Sequence, residues 1–233
     1  MLNFFEYAGK RSRDYGRYIS GGGTFGAPQR DIETVSIPGR NGDLIIDNGR
    51  FNNITVTYSA YIRRDFRKLA DAARAWLLSQ AGYVRLEDTY NPDYYRMGIF
   101  TGPLDFATRF LNLGGECDLS FNCKPQRFLR SGEAAVEATG SLQLYNPTPY
   151  PALPLIRVYG TSGTLTVGND IMQINEIDGY IDIDSDTQNA YKGVTNCNSD
   201  ISGVFGTLPA GQTGISFSGD ITKMEIKPRW WTI

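Results

Sequence analysis

The densest group of chemically capable side chains is Asp182, Asp184 and Asp186, three carboxylates at alternate positions. In an extended segment that spacing puts all three on one face, which invites a calcium site or a glycosidase pair. A calcium loop of the helix-loop-helix type requires Gly at its sixth position and Glu at its twelfth. Counted from Asp182, those positions hold Thr187 and Gly193. Glycoside hydrolysis requires two carboxyl groups about 5 to 10 Å apart across a cleft, and no paired-carboxylate motif marks one. Because Ile181 and Ile183 alternate with the aspartates, the solvent face of a half-buried strand accounts for the pattern without a ligand.

Trp230 and Trp231 could stack on a sugar ring. Neighbours on a strand point to opposite faces, so at most one lines a given surface while the other enters the core. Arg11, Arg13 and Arg17 gather positive charge, but Asp14 interrupts them and phosphate binding needs a denser positive surface. A polar strand edge, or a contact to a neighbouring subunit, is expected there. With no histidine in 233 residues, Ser-His-Asp triads, Cys-His pairs and histidine metal sites are closed. Cys117, Cys123 and Cys197 lack metal-ligand spacing. The first two share one face of a predicted strand about 20 Å apart, beyond disulfide reach, and are expected to be buried free thiols, in keeping with synthesis in a reducing cytoplasm. The reading is of a protein that is not an enzyme, with no catalytic residue, metal ligand or cofactor.

The elements that position these residues are mostly strands. Ile54, Val56, Tyr58, Ala60 and Ile62 alternate with polar neighbours, the period of a half-buried strand. Phe66, Leu69, Ala70, Ala73, Trp76 and Leu77 recur at helical spacing, with Asp65 as a candidate cap and Gly82 as a stop. That stripe makes Trp76 a core aromatic rather than a ligand platform. Residues 83–86, 94–100 and 115–123 read as further strands, the last with Cys117, Leu119, Phe121 and Cys123 facing one way. Strands, one helix, then strands indicate a mainly β, α+β fold rather than parallel βαβ units. Ser131 to Gly140 is small and polar enough to connect two domains, 1–130 and 141–233. Beyond it, short strands are expected at 155–160, 163–167, 174–177, 180–183, 214–217 and 223–227, with Asp178-Gly179 as a hairpin turn. That count suits an antiparallel sandwich.

At 41% hydrophobic residues, the 25.9 kDa chain can build a core. No run approaches the roughly 20 apolar residues of a membrane helix, and no secretory signal is visible at the start. The formal charge of −2 divides unevenly, with residues 1–130 at +4 and 131–233 at −6. Scattered basic residues of this kind make no nucleic-acid footprint.

The most telling stretch lies at residues 31–48. A strand-like run breaks at Pro38-Gly39, breaks again at Asn41-Gly42, and resumes as Leu44-Ile45-Ile46. Pro38 fixes φ, Gly39 and Gly42 permit positive φ, and Asn-Gly favours a tight hairpin. The run from Val35 to Leu44 resembles the signature near the start of the distal tail proteins of long, non-contractile-tailed phages. Asn48 to Asn53 is similar to that family's polar turn before its next strand, Tyr18 to Phe25 to its short strand entering a glycine loop, and Cys123 to Phe128 to the segment closing an alternating strand. The resemblance is strongest over residues 1–130.

It implies an N-terminal β-sandwich with one helix and a C-terminal galectin-like or carbohydrate-binding-module-like β-sandwich. It also implies a structural virion protein, synthesised in the bacterial host cytoplasm and located at the virion tail tip, of an active phage or a prophage. Six copies would form a homohexamer ring, the baseplate hub between the tail tube protein and the tail-associated tip protein in the host-adsorption apparatus, with receptor-binding or adaptor proteins as further partners. Pro38, Gly39, Arg40, Asn41, Gly42 and Asp43 are the candidate subunit contacts, since turns and edge strands are available for pairing between chains. The competing functions are a cell-wall saccharide-binding module using Trp230 or Trp231, and a glycosidase using Asp182 or Asp184.

Overall fold

The structure is a computed structural model that describes residues 2–21, 25–62, 65–109 and 114–233, with the backbone alone at 108 and 109. Gly22, Gly23 and Thr24 of the expected glycine loop therefore lie outside the described residues. The fold is mainly β, built from curled antiparallel sheets. The chain divides into two compact units, Met1–Arg127 with Ile233, and Phe128–Thr232.

In the first unit the strands lie in the order Lys10–Arg11, Phe5–Tyr7, Val84–Asp88, Tyr94–Phe100, Gly114–Leu129, Ile54–Ile62 and Arg17–Ser20. The sheet curls far enough that the Ile19 amide, at one end, donates to the Asn3 carbonyl near the other at 3.0 Å. Ile54–Ile62 runs antiparallel to the longest strand, with Phe121 opposite Val56 and Cys117 opposite Ala60. Alternation puts Cys117, Leu119, Phe121 and Cys123 inward, all buried, and Cys117 and Cys123 are free thiols. Burial pushes the Cys123 thiol up to about 12, so it stays protonated and behaves as a small apolar side chain.

One α-helix, Phe66–Leu77, covers this sheet among the described residues. Its apolar stripe buries Ala70, Ala73, Trp76 and Leu77. The Trp76 ring stacks on Tyr15 at 4.4 Å and on Phe5 at 5.7 Å, and its indole N–H donates to the Tyr7 carbonyl at 3.1 Å. The expected caps are not used. Asp65 has a left-handed backbone with φ 52° and makes no side-chain cap bond. At the other end Ser79 Oγ donates to the Trp76 carbonyl at 2.7 Å, and Gly82 lies past the last turn.

In the second unit the strand order is Val136–Ala138, Gly211–Lys227, Leu155–Val167, Gly179–Asp184, Asn189–Lys192 and Thr195–Asn196. Residues 131–140, read as a connection, thus contain a strand whose Val136 pairs with Ile226. The short strands read at 155–160 and 163–167 are one strand, as are those at 214–217 and 223–227. Their mutual register shifts at Gly160–Gly163, and this irregularity breaks the alternation that a sequence pattern detects. Asp178-Gly179 does not turn a hairpin either. Asp170–Ile174 pairs with Gly163–Val167 and Gly179–Asp184 pairs with Leu155–Gly160, so the two segments follow one another along the same long strand. The core lies between the halves, with Val158, Ile181 and Met224 from one and Leu165, Met172 and Ile215 from the other.

The bend requires glycine at position 160, where φ is 150° and an added Cβ would stand 2.3 Å from the Asp220 carbonyl oxygen. Gly160→Ala should lower unfolding stability by roughly 2–4 kcal/mol. Gly140→Ala, where a Cβ meets nothing within 4 Å, should stay within about 0.5 kcal/mol. Urea denaturation of both variants checks the difference.

Candidate functional site: an uncovered hairpin arm

Arg30–Val35 and Leu44–Phe51 form a two-stranded sheet of their own. Val35 pairs with Leu44, Thr34 with Ile45 and Glu33 with Ile46. Opposed residues share a face, so Val35, Leu44 and Ile46 lie on one side and Ile32 and Ile45 on the other. All five are exposed, Ile45 by 63%. Apolar side chains of this strand-like run therefore stand in the open on both faces. At the base, Arg50 Nε contacts Asp31 at 2.6 Å, Arg30 pairs with Asp47, and Asp47 also accepts the Gly49 amide at 2.9 Å.

The loop between the strands runs from Ser36 to Asp43 and departs from the expected two-residue Asn-Gly hairpin. The Arg40 amide donates to the Ile37 carbonyl at 3.1 Å across Pro38-Gly39, with φ 79° at Gly39. That is a Pro-Gly turn of the kind requiring positive φ at its second corner. Gly42, also at φ 79°, makes a separate bend. Pro38, Gly39, Arg40, Asn41, Gly42 and Asp43 are all exposed at the arm's tip.

The other sequence-derived residues lie elsewhere. Asp182 and Asp184 are buried rather than on a solvent face. Arg157 grips Asp182 with two hydrogen bonds of 2.7 and 2.8 Å, and Arg229 grips Asp184 with two of 2.6 and 3.1 Å. Such bidentate pairs occupy the carboxylate oxygens, which leaves neither aspartate placed as a nucleophile or general acid. Asp186 gives its amide to Asp184 at 3.0 Å and is itself exposed. Among the described residues no group of three His, Cys, Asp or Glu could hold a metal ion. Trp230 is 6% exposed and belongs to the core. Trp231 stacks on Tyr150 at 4.5 Å with its indole N–H donating to the Pro151 carbonyl at 2.9 Å. Arg11 contacts Glu6, Arg13 lies over Phe4, and Arg17 is fully buried, which removes it from the expected polar edge.

No protein-family model and no curated protein sequence matches the chain. Solved structures do. The crystal structure of the SPP1 Dit (gp 19.1) protein, described as a paradigm of the hub adsorption apparatus in phages infecting Gram-positive bacteria, is similar over 100% of both chains, with TM-score 0.74 and 12% identity. A chain of the phage P2 baseplate in its activated conformation with calcium is similar over 97% of both, with TM-score 0.55 and 10% identity. The strontium form of that baseplate gives TM-score 0.53 over 99% of this chain at 10% identity. The chain therefore has the fold of these phage hub and baseplate proteins, and no helix among its described residues is long and apolar enough to cross a membrane.

Burial raises the Asp184 carboxyl, but the Arg229 guanidinium and the Asp186 and Thr187 amides outweigh it and hold the group below the ordinary carboxylate value. A depressed carboxylate stabilises the fold fully above its unfolded pKa of about 4 and loses that contribution as pH falls through the folded value. Asp184→Asn should therefore lower the melting temperature at pH 7 and flatten its decline below about pH 4. Thermal unfolding across pH checks both.

Proposed function

We propose that this protein is a distal tail hub, a structural virion component that assembles as a hexameric ring and joins the tail tube to the tip or baseplate proteins engaging the host. The observation that carries the reading is the end-to-end likeness to the SPP1 Dit protein at TM-score 0.74. It covers both units, so the whole chain and not one module is matched. In this reading the first unit makes the ring and the second projects from it, with receptor-binding or adaptor proteins docking there. No catalytic step is asked of the chain.

The hairpin arm supports self-assembly independently. A lone two-stranded ribbon is marginally stable in water, and apolar patches on a folded surface mark interaction sites. Tip residues Pro38 to Asp43 are the proposed subunit contacts. A second reading, saccharide binding by the second unit, falls to Trp231 alone, because Trp230 is in the core.

Light scattering and negative-stain microscopy of the concentrated protein should give the mass of six 25.9 kDa chains and six-fold rings with a central opening. Monomers at every concentration would count against the hub. Replacing Asn41 and Gly42 with Val should abolish the rings, since Gly42 sits at φ 79°, where a β-branched residue is strained. For the second reading, Trp231→Ala should remove any signal on an array of cell-wall glycans, and a silent array for the unaltered protein would end that idea.

A further inference from the structure

Two Asn-Gly dipeptides lie in the hairpin arm, Asn41-Gly42 at its tip and Asn48-Gly49 within its second strand. All four residues are exposed, and both glycines have positive φ, 79° at Gly42 and 71° at Gly49. In such a dipeptide the chain can react with itself. The backbone nitrogen of the glycine comes within reach of the asparagine side-chain carboxamide, closing a five-membered ring, and glycine puts no Cβ in the way of that closure. Composition and exposure do not separate the two sites. Hydrogen bonding does.

At the strand site both reacting groups are engaged. The Gly49 amide donates to the Asp47 carboxylate at 2.9 Å, and Arg30 holds that carboxylate in place. The Asn48 side chain hydrogen-bonds Asp31, whose other partner is Arg50 at 2.6 Å. A nitrogen donating to a carboxylate makes a strong bond, and it cannot turn towards the side-chain carbon until that bond opens. At the tip neither group is held. The Gly42 amide and the Asn41 carboxamide form no hydrogen bond among the described residues, and a Cβ built on Gly42 would meet nothing within 4 Å.

We propose that Asn41 is a self-modifying site, converting to isoaspartate and aspartate in the folded chain, while Asp47 and Asp31 hold Asn48 inert. Solvent base removes the Gly42 amide proton, and the nitrogen attacks the Asn41 Cγ. The N–Cγ bond forms, the Cγ–Nδ2 bond breaks, and Nδ2 leaves as ammonia after taking a proton from water. Water then opens the cyclic imide. Cleavage at Cγ gives aspartate, and cleavage at the main-chain carbonyl carbon gives isoaspartate, whose backbone runs through Cβ and Cγ. No oxidant, reductant or metal takes part. Either product adds a negative charge close to Asp43, and isoaspartate also lengthens by one carbon the loop proposed above as a subunit contact. The conversion does not depend on the hub reading; only its consequence for assembly rests on it.

The test incubates the dilute full chain at neutral pH and follows it by peptide mapping that separates the asparaginyl, aspartyl and isoaspartyl forms of each site. Asn41 should convert roughly tenfold or more faster than Asn48, because Asn48 reacts only after its hydrogen bonds open locally. Isoaspartate should appear at residue 41, since direct hydrolysis of the side chain gives aspartate alone. In urea, with the arm unfolded, the two sites should converge on similar rates. Asp47→Ala should raise conversion at Asn48 towards the Asn41 rate, and Asp47→Asn, which keeps an acceptor oxygen for the Gly49 amide, should slow it again. Equal rates at the two sites in the folded chain, or aspartate without isoaspartate at residue 41, overturn the proposal. So does a difference that persists in urea, which would assign it to flanking sequence rather than to the fold. An Asn48 that stays inert in Asp47→Ala overturns the guarding role of Asp47. Asn41→Asp carries the charge of the product and should weaken self-association in sedimentation. Rings unchanged by it remove the consequence for assembly and leave both the chemistry and the hub reading intact.

Discussion

The packing around Phe121 is the interaction on which the first unit depends. Its ring meets Tyr7 at 5.1 Å, Phe5 at 5.4 Å, Phe100 at 5.4 Å and Tyr58 at 5.9 Å, so residues far apart in sequence converge on one side chain. Tyr7 is then fixed at its other end, where its hydroxyl accepts the Phe100 amide at 3.1 Å. Tyr58 donates to Asp88 at 2.7 Å, and Asp88 in turn accepts the amides of Tyr90 and Asn91. Aromatic pairs at edge and offset geometry add to the burial of their area, and the Tyr7 and Tyr58 hydroxyls each find a polar partner. The curl of the sheet follows, because the strands holding these rings must wrap one centre.

Much of this was legible in the sequence, and the reason is local periodicity. The alternation from Ile54 to Ile62 and from Cys117 to Cys123 reports a face directly, and the stripe that buries Trp76 reports a helix. What was not legible depends on partners distant in sequence. Asp182 and Asp184 read as a solvent face because Arg157 and Arg229 lie 25 and 45 residues away. Once those guanidiniums close over them, the face is buried and its charges are spent in pairs. Arg17 escaped for a similar reason, since it is covered by Phe106 and Cys117, the latter 100 residues along the chain.

The arm marks a different limit. Leu44, Ile45 and Ile46 form a continuous apolar run, as in a strand covered on both faces, and the sequence pattern carries no information on what those faces meet. The same pattern serves a strand covered by its own chain or by another. Here both faces of the ribbon are open. The ribbon leaves apolar area in water that only a further surface removes.

The fold is shared with the SPP1 Dit protein at 12% identity, which is understandable physically. A sandwich core tolerates wide replacement provided volume and alternation are kept, so architecture outlasts the residues that build it. Contacts between subunits are under a different constraint, because a charge moved at an interface must be answered by its partner. A common fold is therefore compatible with surface chemistry peculiar to each chain. The buried Arg17 and the charged tip of the arm are features of this chain's own residues, and a shared fold does not by itself specify what such residues do.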